Sequence, residues 1–159
     1  MPHTTTCLWF DTRGEEAAQL YTSVFPNSRI TNTTRFGPDQ PGPEGQALTV
    51  EFEIDGSTFV ALNGGPQFTF SEAISIQVSC ADQAEVDDYW TKLIADGGEE
   101  SQCGWLKDKF GLSWQIIPTA LAELLSDPVP ARAQAAMQAM LGMQKIDIAA
   151  LEQAADAAS

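Results

Sequence analysis

The sequence predicts an α+β fold: two βαβββ modules, at about 4–66 and 67–118, forming one domain over 1–118, then a helical C-terminal extension over 119–159. Three observations predict it. The run 62–80, LNGGPQFTFSEAISIQVSC, closes one block of strands at a Gly-Gly-Pro turn and opens another. Ala17, Leu20, Tyr21, Val24 and Phe25 form a helical stripe whose spacing Val86, Tyr89, Trp90, Leu93 and Ile94 repeat. Each block then closes on a hairpin, turning at Asp55-Gly56 and around Phe110-Gly111. Strand, helix and hairpin in the same order twice over is the signature of an internal repeat.

Taken in order, 4–10 is rich in β-branched and aromatic residues and reads as a strand. The first helix follows the turn at 11–14, with Glu15 and Glu16 where the helix dipole favours negative charge. Pro26-Asn27 stops it, 28–36 is a second strand, and the Gly/Pro-rich stretch GPDQPGPEG is a surface loop. Over 47–54, Leu48, Val50, Phe52 and Ile54 alternate with Thr49, Glu51 and Glu53, and 57–63 returns as the partner strand. In the second block Ile74, Ile76, Val78 and Cys80 alternate with Ser75, Gln77 and Ser79. Asp82 with Glu85 resembles a capping box, and Gly97-Gly98 ends the helix. Strands are expected at 99–103, 105–109 and 112–118. The tail is helical, broken at Asp127-Pro128 and capped again by Asp147, with its last residues expected to fray. Its Met stripe reads either as packing or as a surface for a partner subunit.

Composition excludes several function classes. A net charge of −14 repels nucleic acid and anionic membranes, so neither is expected as a partner. No run approaches a membrane span, nothing reads as a signal peptide, and the three cysteines lack a CxxC pair, which together predict a reduced, cytoplasmic protein. His3 is the single histidine. Ser-His-Asp triads, Cys-His dyads and sites with two imidazoles therefore cannot form within one chain.

The stretches TTCLWFDTRGEEAAQLYTSVFPNSRI, LNGGPQFTFSEAISIQVSC and CGWLKDKFGLSWQIIPTALAELL resemble the PhnB-like branch of the vicinal oxygen chelate superfamily. That superfamily includes glyoxalase I, extradiol dioxygenases and fosfomycin- and bleomycin-resistance proteins. Members of the branch carry a demethylubiquinone methyltransferase-like label. The sequence shows no Gly-rich loop after a first strand to hold S-adenosylmethionine. The resemblance implies a concave cleft, and in metal-using relatives four ligands, two from each module, on the first and last strands. Those positions fall here on Ser75 and Gln115 in the second module, and near Thr6 and 60–63 in the first. Transition metals want imidazole or carboxylate, so no metal or other cofactor is expected, though a divalent metal stays as the alternative.

A small-molecule ligand is the expected partner, with a homodimer as the expected assembly. Ser75, Gln77, Ser113 and Gln115 share one sheet face by alternation, and either line the cleft or face solvent. Asn63, Gly64 and Gly65 with Phe68 and Phe70 make either an aromatic-lined lid or a linker tucked into the core. Cys103 beside Trp105 offers a thiol that is either a nucleophile served by Lys107 and Lys109 or a structural residue. No catalytic residue is assigned. Three functions remain open: a ligand-binding protein, a metal-dependent glyoxalase- or dioxygenase-like enzyme, and an interaction subunit.

Overall fold

The computed structural model describes residues 1–158, which divide into two compact units, Met1–Phe70 and the chain from Ser71 onward. Residues 67–70, expected to open the second module, group with the first.

The first unit runs β1 (Thr6–Phe10), α1 (Gly14–Val24), β2 (Ser28–Arg35), β3 (Ala47–Ile54) and β4 (Ser57–Asn63). Its sheet has the order β1-β4-β3-β2, with β1 parallel to β4 and the other pairs antiparallel. Register sorts the side chains. Leu8 and Phe10 align with Ala61 and Asn63, and Val50 and Phe52 pair with Ala61 and Phe59, so this set shares one face. That face packs on α1, which buries Ala17, Ala18, Tyr21 and Val24. Cys7, Trp9, Val60, Leu62, Thr49 and Glu51 occupy the opposite face. Strand β2 is an edge, polar in sequence and interrupted by register shifts after Ile30 and Thr34, devices that discourage edge-to-edge pairing.

The second unit repeats the plan with β5 (Ser75–Cys80), α2 (Gln83–Ile94), β6 (Glu99–Glu100), β7 (Trp105–Lys107) and β8 (Ser113–Pro118). Its order, β5-β8-β7-β6, matches the first sheet strand for strand, again with one parallel pair. Asp82 caps α2 by accepting from the Glu85 N–H, and Glu85 reaches back to the Ala81 N–H at 2.7 Å. Val86, Trp90 and Leu93 are buried, whereas Tyr89 and Ile94, expected in the same stripe, sit half-buried at its margins.

Two strands are shorter than the alternation suggested. Strand β6 stops at Glu100, because Cys103 and Gly104 take left-handed backbone (φ 58° and 84°) that no strand accommodates. Strand β7 stops at Lys107, because the next residue, Asp108, builds the hairpin turn with its own side chain.

The extension forms α3 (Thr119–Leu125), α4 (Pro130–Leu141) and α5 (Ile148–Ala157) within the second unit. Leu121, Ile146 and Leu151 form its buried cluster, with Met140 and Met143 packed alongside. Met137 and Leu141 lie exposed, so the expected Met stripe is divided between packing and surface. Contrary to the expected fraying, α5 buries Ala155, and Asp156 pairs with Arg132 at 2.9 Å. Gln83 ties the extension to α2: its amide donates to Ile146 O at 3.0 Å and accepts from Ile148 N at 2.9 Å.

Candidate functional site

In the second unit, register assembles the polar residues into rows across three strands. Ser113 lies opposite Ser75 on β5 and opposite Lys107 on β7. The next row holds Gln77, Gln115 and Trp105. Paired residues share a face, so Ser75, Gln77, Ser113 and Gln115 share one face as alternation indicated, and Trp105 joins them there. The opposite face carries Ile76, Val78, Leu106, Trp114 and Ile116, with α2 packed against the sheet.

Hydrogen bonding distinguishes these groups. The Gln115 amide donates to Ser75 Oγ at 2.8 Å. The Ser113 side chain is only 1% exposed, and among the described residues its hydroxyl is the buried side-chain polar atom left without a hydrogen-bond partner. Lys107, its neighbour on the same face, forms an ion pair with Glu72, just before β5. Hydrogen bonding to Glu72 raises the Lys107 ammonium above its ordinary range, and the same bond holds the Glu72 carboxyl low.

Cys103 stands apart from this arrangement. Its N–H donates to Met143 O and the Gly104 N–H to Gln144 O, both at 2.8 Å, so this turn anchors the extension. A Cβ on Gly104 would lie 2.9 Å from Ile117 Cδ1, which with φ 84° restricts the position to glycine. Lys107 is engaged by Glu72, and Lys109, beyond the end of β7, lies over the Phe110 ring at 5.4 Å. Neither lysine shares a strand face with Cys103, so of its two readings the nucleophile served by Lys107 and Lys109 has no geometric support. Cys80 is unsuited to nucleophilic work, since burial and then Glu85 and Asp82 push its thiol up to about 12.

In the first unit Thr6 lies on the Leu8 and Phe10 face, aligned with Phe59, at the rim of an open hollow near the Gly56 turn. The residues whose side chains point away from α1 are Cys7 and Trp9, one step along from the expected position. Asn63 is buried and committed to structure: its Oδ1 accepts from Gly14 N at 2.8 Å and its Nδ2 donates to Ala47 O at 2.9 Å. It therefore caps α1 from a neighbouring strand, in a position where Arg13 gives no side-chain cap.

Asn63→Ala is expected to cost about 1–3 kcal/mol, since two buried groups lose their partners. A urea midpoint that does not move would show that Gly14 and Ala47 find other partners.

Gly64 and Gly65 run close against β1, where the Gly64 N–H donates to Phe10 O at 2.9 Å and the Trp9 indole to Gly65 O at 2.9 Å. A Cβ on Gly64 would meet the Trp9 ring at 2.4 Å. Phe68 packs edge-on against Trp9 and Phe70 against Phe10, with centroids 5.0 and 5.2 Å apart. Phe70 is half-buried while Phe68 stays 65% exposed, so the segment combines the linker and aromatic-surface alternatives. A hollow of about 350 Å³ opens beside Asn63, Gly64 and Gly65, walled by Phe36, Pro41, Pro43 and Asp11.

The metal-ligand positions implied by the fold carry an unsuitable donor set. Ser75 and Gln115 are bonded to each other, and the equivalent positions of the first sheet hold Cys7, Val60 and Leu62. Cys7 alone offers a donor such metals favour, and one thiol among Ser, Gln, Val and Leu does not make a divalent transition-metal site. Among the described residues no group of three or more His, Cys, Asp or Glu is placed to hold an ion. Nor, among them, is any helix long and apolar enough to cross a membrane.

Comparison with known proteins agrees with this architecture. The family model described as 3-demethylubiquinone-9 3-methyltransferase matches residues 2–117. A Bacillus cereus structure described as a PhnB protein of that methyltransferase type is 33% identical, with a TM-score of 0.69 over 74% of this chain and 100% of its own. A Pseudomonas aeruginosa protein is 18% identical, with a TM-score of 0.61 over 74% of this chain and 98% of its own. The fosfomycin resistance protein of Listeria monocytogenes, solved with Mn(II) and sulfate, is 16% identical, with a TM-score of 0.52 over 78% of this chain and 94% of its own. At these identities the last two show the shared fold. A search of curated proteins finds no match. The chain belongs to the 3-demethylubiquinone-9 3-methyltransferase family, the PhnB-like branch of the vicinal oxygen chelate fold.

Proposed function

We propose that this chain is a cytoplasmic small-molecule binding protein, with its ligand on the polar face of the second sheet and no transition metal there. The observation that carries this reading is the Ser113 hydroxyl, buried without a partner in the row Lys107–Ser113–Ser75. A buried polar group normally has a partner, and one left without a partner among convergent polar side chains is the kind of group a ligand completes. The hollow beside Asn63 competes less well. Its Asn63 amide and the Gly64 and Gly65 N–H groups are already bonded within the fold.

Methyl transfer, which the family description names, finds no Gly-rich nucleotide loop between β1 and α1, where the sequence is Asp11-Thr12-Arg13-Gly14. Metal-dependent chemistry would need ligands other than those at the fold's usual positions. The test combines thermal shifts against a metabolite panel with metal analysis. A ligand at one hundred times its Kd adds about 2.7 kcal/mol of stability, a readily measured shift, and Ser113→Ala should reduce it. Stoichiometric zinc, nickel, manganese or iron retained without a His tag, and lost in Gln115→Ala, would overturn the metal-free reading.

The assembly that suits this chain is a homodimer. Met137 and Leu141 are exposed on α4, and β2 offers an unpaired edge. An interface of about 800 Å² per partner, the standard size, would cover the exposed α4 residues or pair the β2 edge. Light scattering that gives the mass of one chain across a wide concentration range would overturn this.

A further inference from the structure

We infer that the ligand of this face carries an oxyanion, a carboxylate or phosphate group, and that the Glu72 carboxylate occupies that group's place on Lys107 when no ligand is bound. The inference rests on the ligand-binding reading above and names the chemical class of the ligand.

Register gives the first argument. Glu99, Lys107, Ser113 and Ser75 are successive cross-strand partners in one row, so the Lys107 ammonium and the Ser75 hydroxyl share a face with the Ser113 hydroxyl buried between them and the Glu99 carboxylate on the edge strand. The Ser75 hydroxyl accepts from Gln115, which leaves its own proton to donate. The Ser113 hydroxyl is likewise a donor without an acceptor. An oxyanion has several lone pairs, and it can accept from both hydroxyls and from the ammonium at once. A neutral group can meet the hydroxyls but cannot take the place of the Glu72 carboxylate on the ammonium.

The second argument is what Lys107 holds now. Its partner is a carboxylate of this same chain, supplied by the short segment between Phe70 and β5. Glu72 lies in a turn, has a side chain 60% exposed, and is not anchored by any strand. The bond favours the ionised forms of both partners, so the pair is formed at neutral pH. An exposed ion pair of this kind contributes little to stability and exchanges readily. Glu72 is thus a tethered competitor, and an incoming anion replaces one carboxylate with another.

The overall charge opposes this ligand. At −14 the chain disfavours anions at long range, so affinity must come from the local donors and is expected in the millimolar range for the simplest probes. Competition lowers it further, since apparent affinity falls by the fraction of molecules whose lysine is free.

The experiment is a titration followed by the Gln115 side-chain amide and Trp105 indole resonances. Sodium phosphate, sodium acetate and glycerol are compared at constant ionic strength on wild type, Glu72→Gln, Lys107→Met and Ser113→Ala. Expected are saturable shifts with phosphate or acetate, about two- to fivefold tighter in Glu72→Gln because the tethered competitor is gone. Lys107→Met should lose the response and Ser113→Ala should weaken it by about tenfold. Which anion binds tighter separates a phosphate-bearing from a carboxylate-bearing ligand. If a neutral metabolite shifts the same resonances while neither anion does, or if Glu72→Gln leaves anion affinity unchanged, the oxyanion inference fails and the ligand-binding reading stands. If no anion, polyol or panel metabolite shifts them, both fail. Glu72 is exposed, so its variant tests competition without disturbing the core.

Discussion

Trp90→Ala is expected to lower stability by about 3–5 kcal/mol, the range for removing a buried aromatic ring. Trp90 is 3% exposed in the stripe of Val86, Trp90 and Leu93 that seats α2 on the second sheet. Its indole also donates to Glu100 Oε1 at 2.9 Å, which ties the helix to strand β6. The two contributions separate by substitution. Trp90→Phe keeps most of the ring and loses the hydrogen bond, and should cost about 1 kcal/mol more than the lost volume accounts for. The measurement is the denaturant midpoint with the slope checked for constancy, since a changed slope would signal a different unfolded or native state. A midpoint that barely moves in Trp90→Ala would mean that α2 is not seated through this stripe, and the correspondence between the two modules would lose its main support.

The repeat was legible because it rests on periodicity, which is a local property. Ala17 to Phe25 and Val86 to Ile94 announce helices by spacing alone, and β3 and β4 fall on the residues that alternation and Asp55-Gly56 indicate. Periodicity carries no signal where a side chain acts on distant backbone. Asn63 looked like a loop residue available to a ligand, yet it caps a helix 49 residues earlier. Cys103 looked like an ordinary strand residue, yet its left-handed backbone and its bond to Met143 make it an anchor for the extension. Tyr89 and Ile94 lie on the flanks of the α2 stripe, and a spacing argument alone does not say how wide the buried face is.

The candidate site was half legible for the same reason. Alternation placed Ser75, Gln77, Ser113 and Gln115 on one face, and the register confirms that face. What no local pattern reveals is the row structure across strands. Ser113 sits between Ser75 and Lys107 only because β5 and β7 flank β8 in this order and register. Glu72 was unremarkable in sequence, a charge in a turn, and its pairing with Lys107 is a tertiary fact. Thr6 missed the open face by one residue, which in a strand is the difference between its two sides.

The Asp108 side chain supports that register alongside the backbone bonds of the hairpin, and removing it should have the other large effect. Asp108 is 3% exposed in the hairpin between Lys107 and Ser113. Its Oδ1 accepts from Phe110 N at 2.9 Å and Leu112 N at 3.0 Å, and its Oδ2 accepts from the Trp114 indole at 2.9 Å. One carboxylate therefore sets the turn and fixes the largest side chain of the second unit's core. Asp108→Ala strands the buried Leu112 and indole donors, at about 1–3 kcal/mol each, and is expected to cost about 3–5 kcal/mol in all. Asp108→Asn keeps the two backbone bonds but turns an N–H towards the indole N–H, so about 1–3 kcal/mol should be lost there. The Trp114 indole proton reports directly: its resonance should move upfield in both variants as its charged acceptor disappears. The polar face should suffer with it, because slippage by one residue across this hairpin would carry Lys107 or Ser113 to the opposite side of the sheet. On the oxyanion inference, phosphate binding should weaken in Asp108→Asn even where the protein remains folded. A variant with an unshifted midpoint and an unshifted indole proton would show that the Phe110-Gly111 turn holds the register unaided, and that the row Lys107–Ser113–Ser75 does not depend on Asp108.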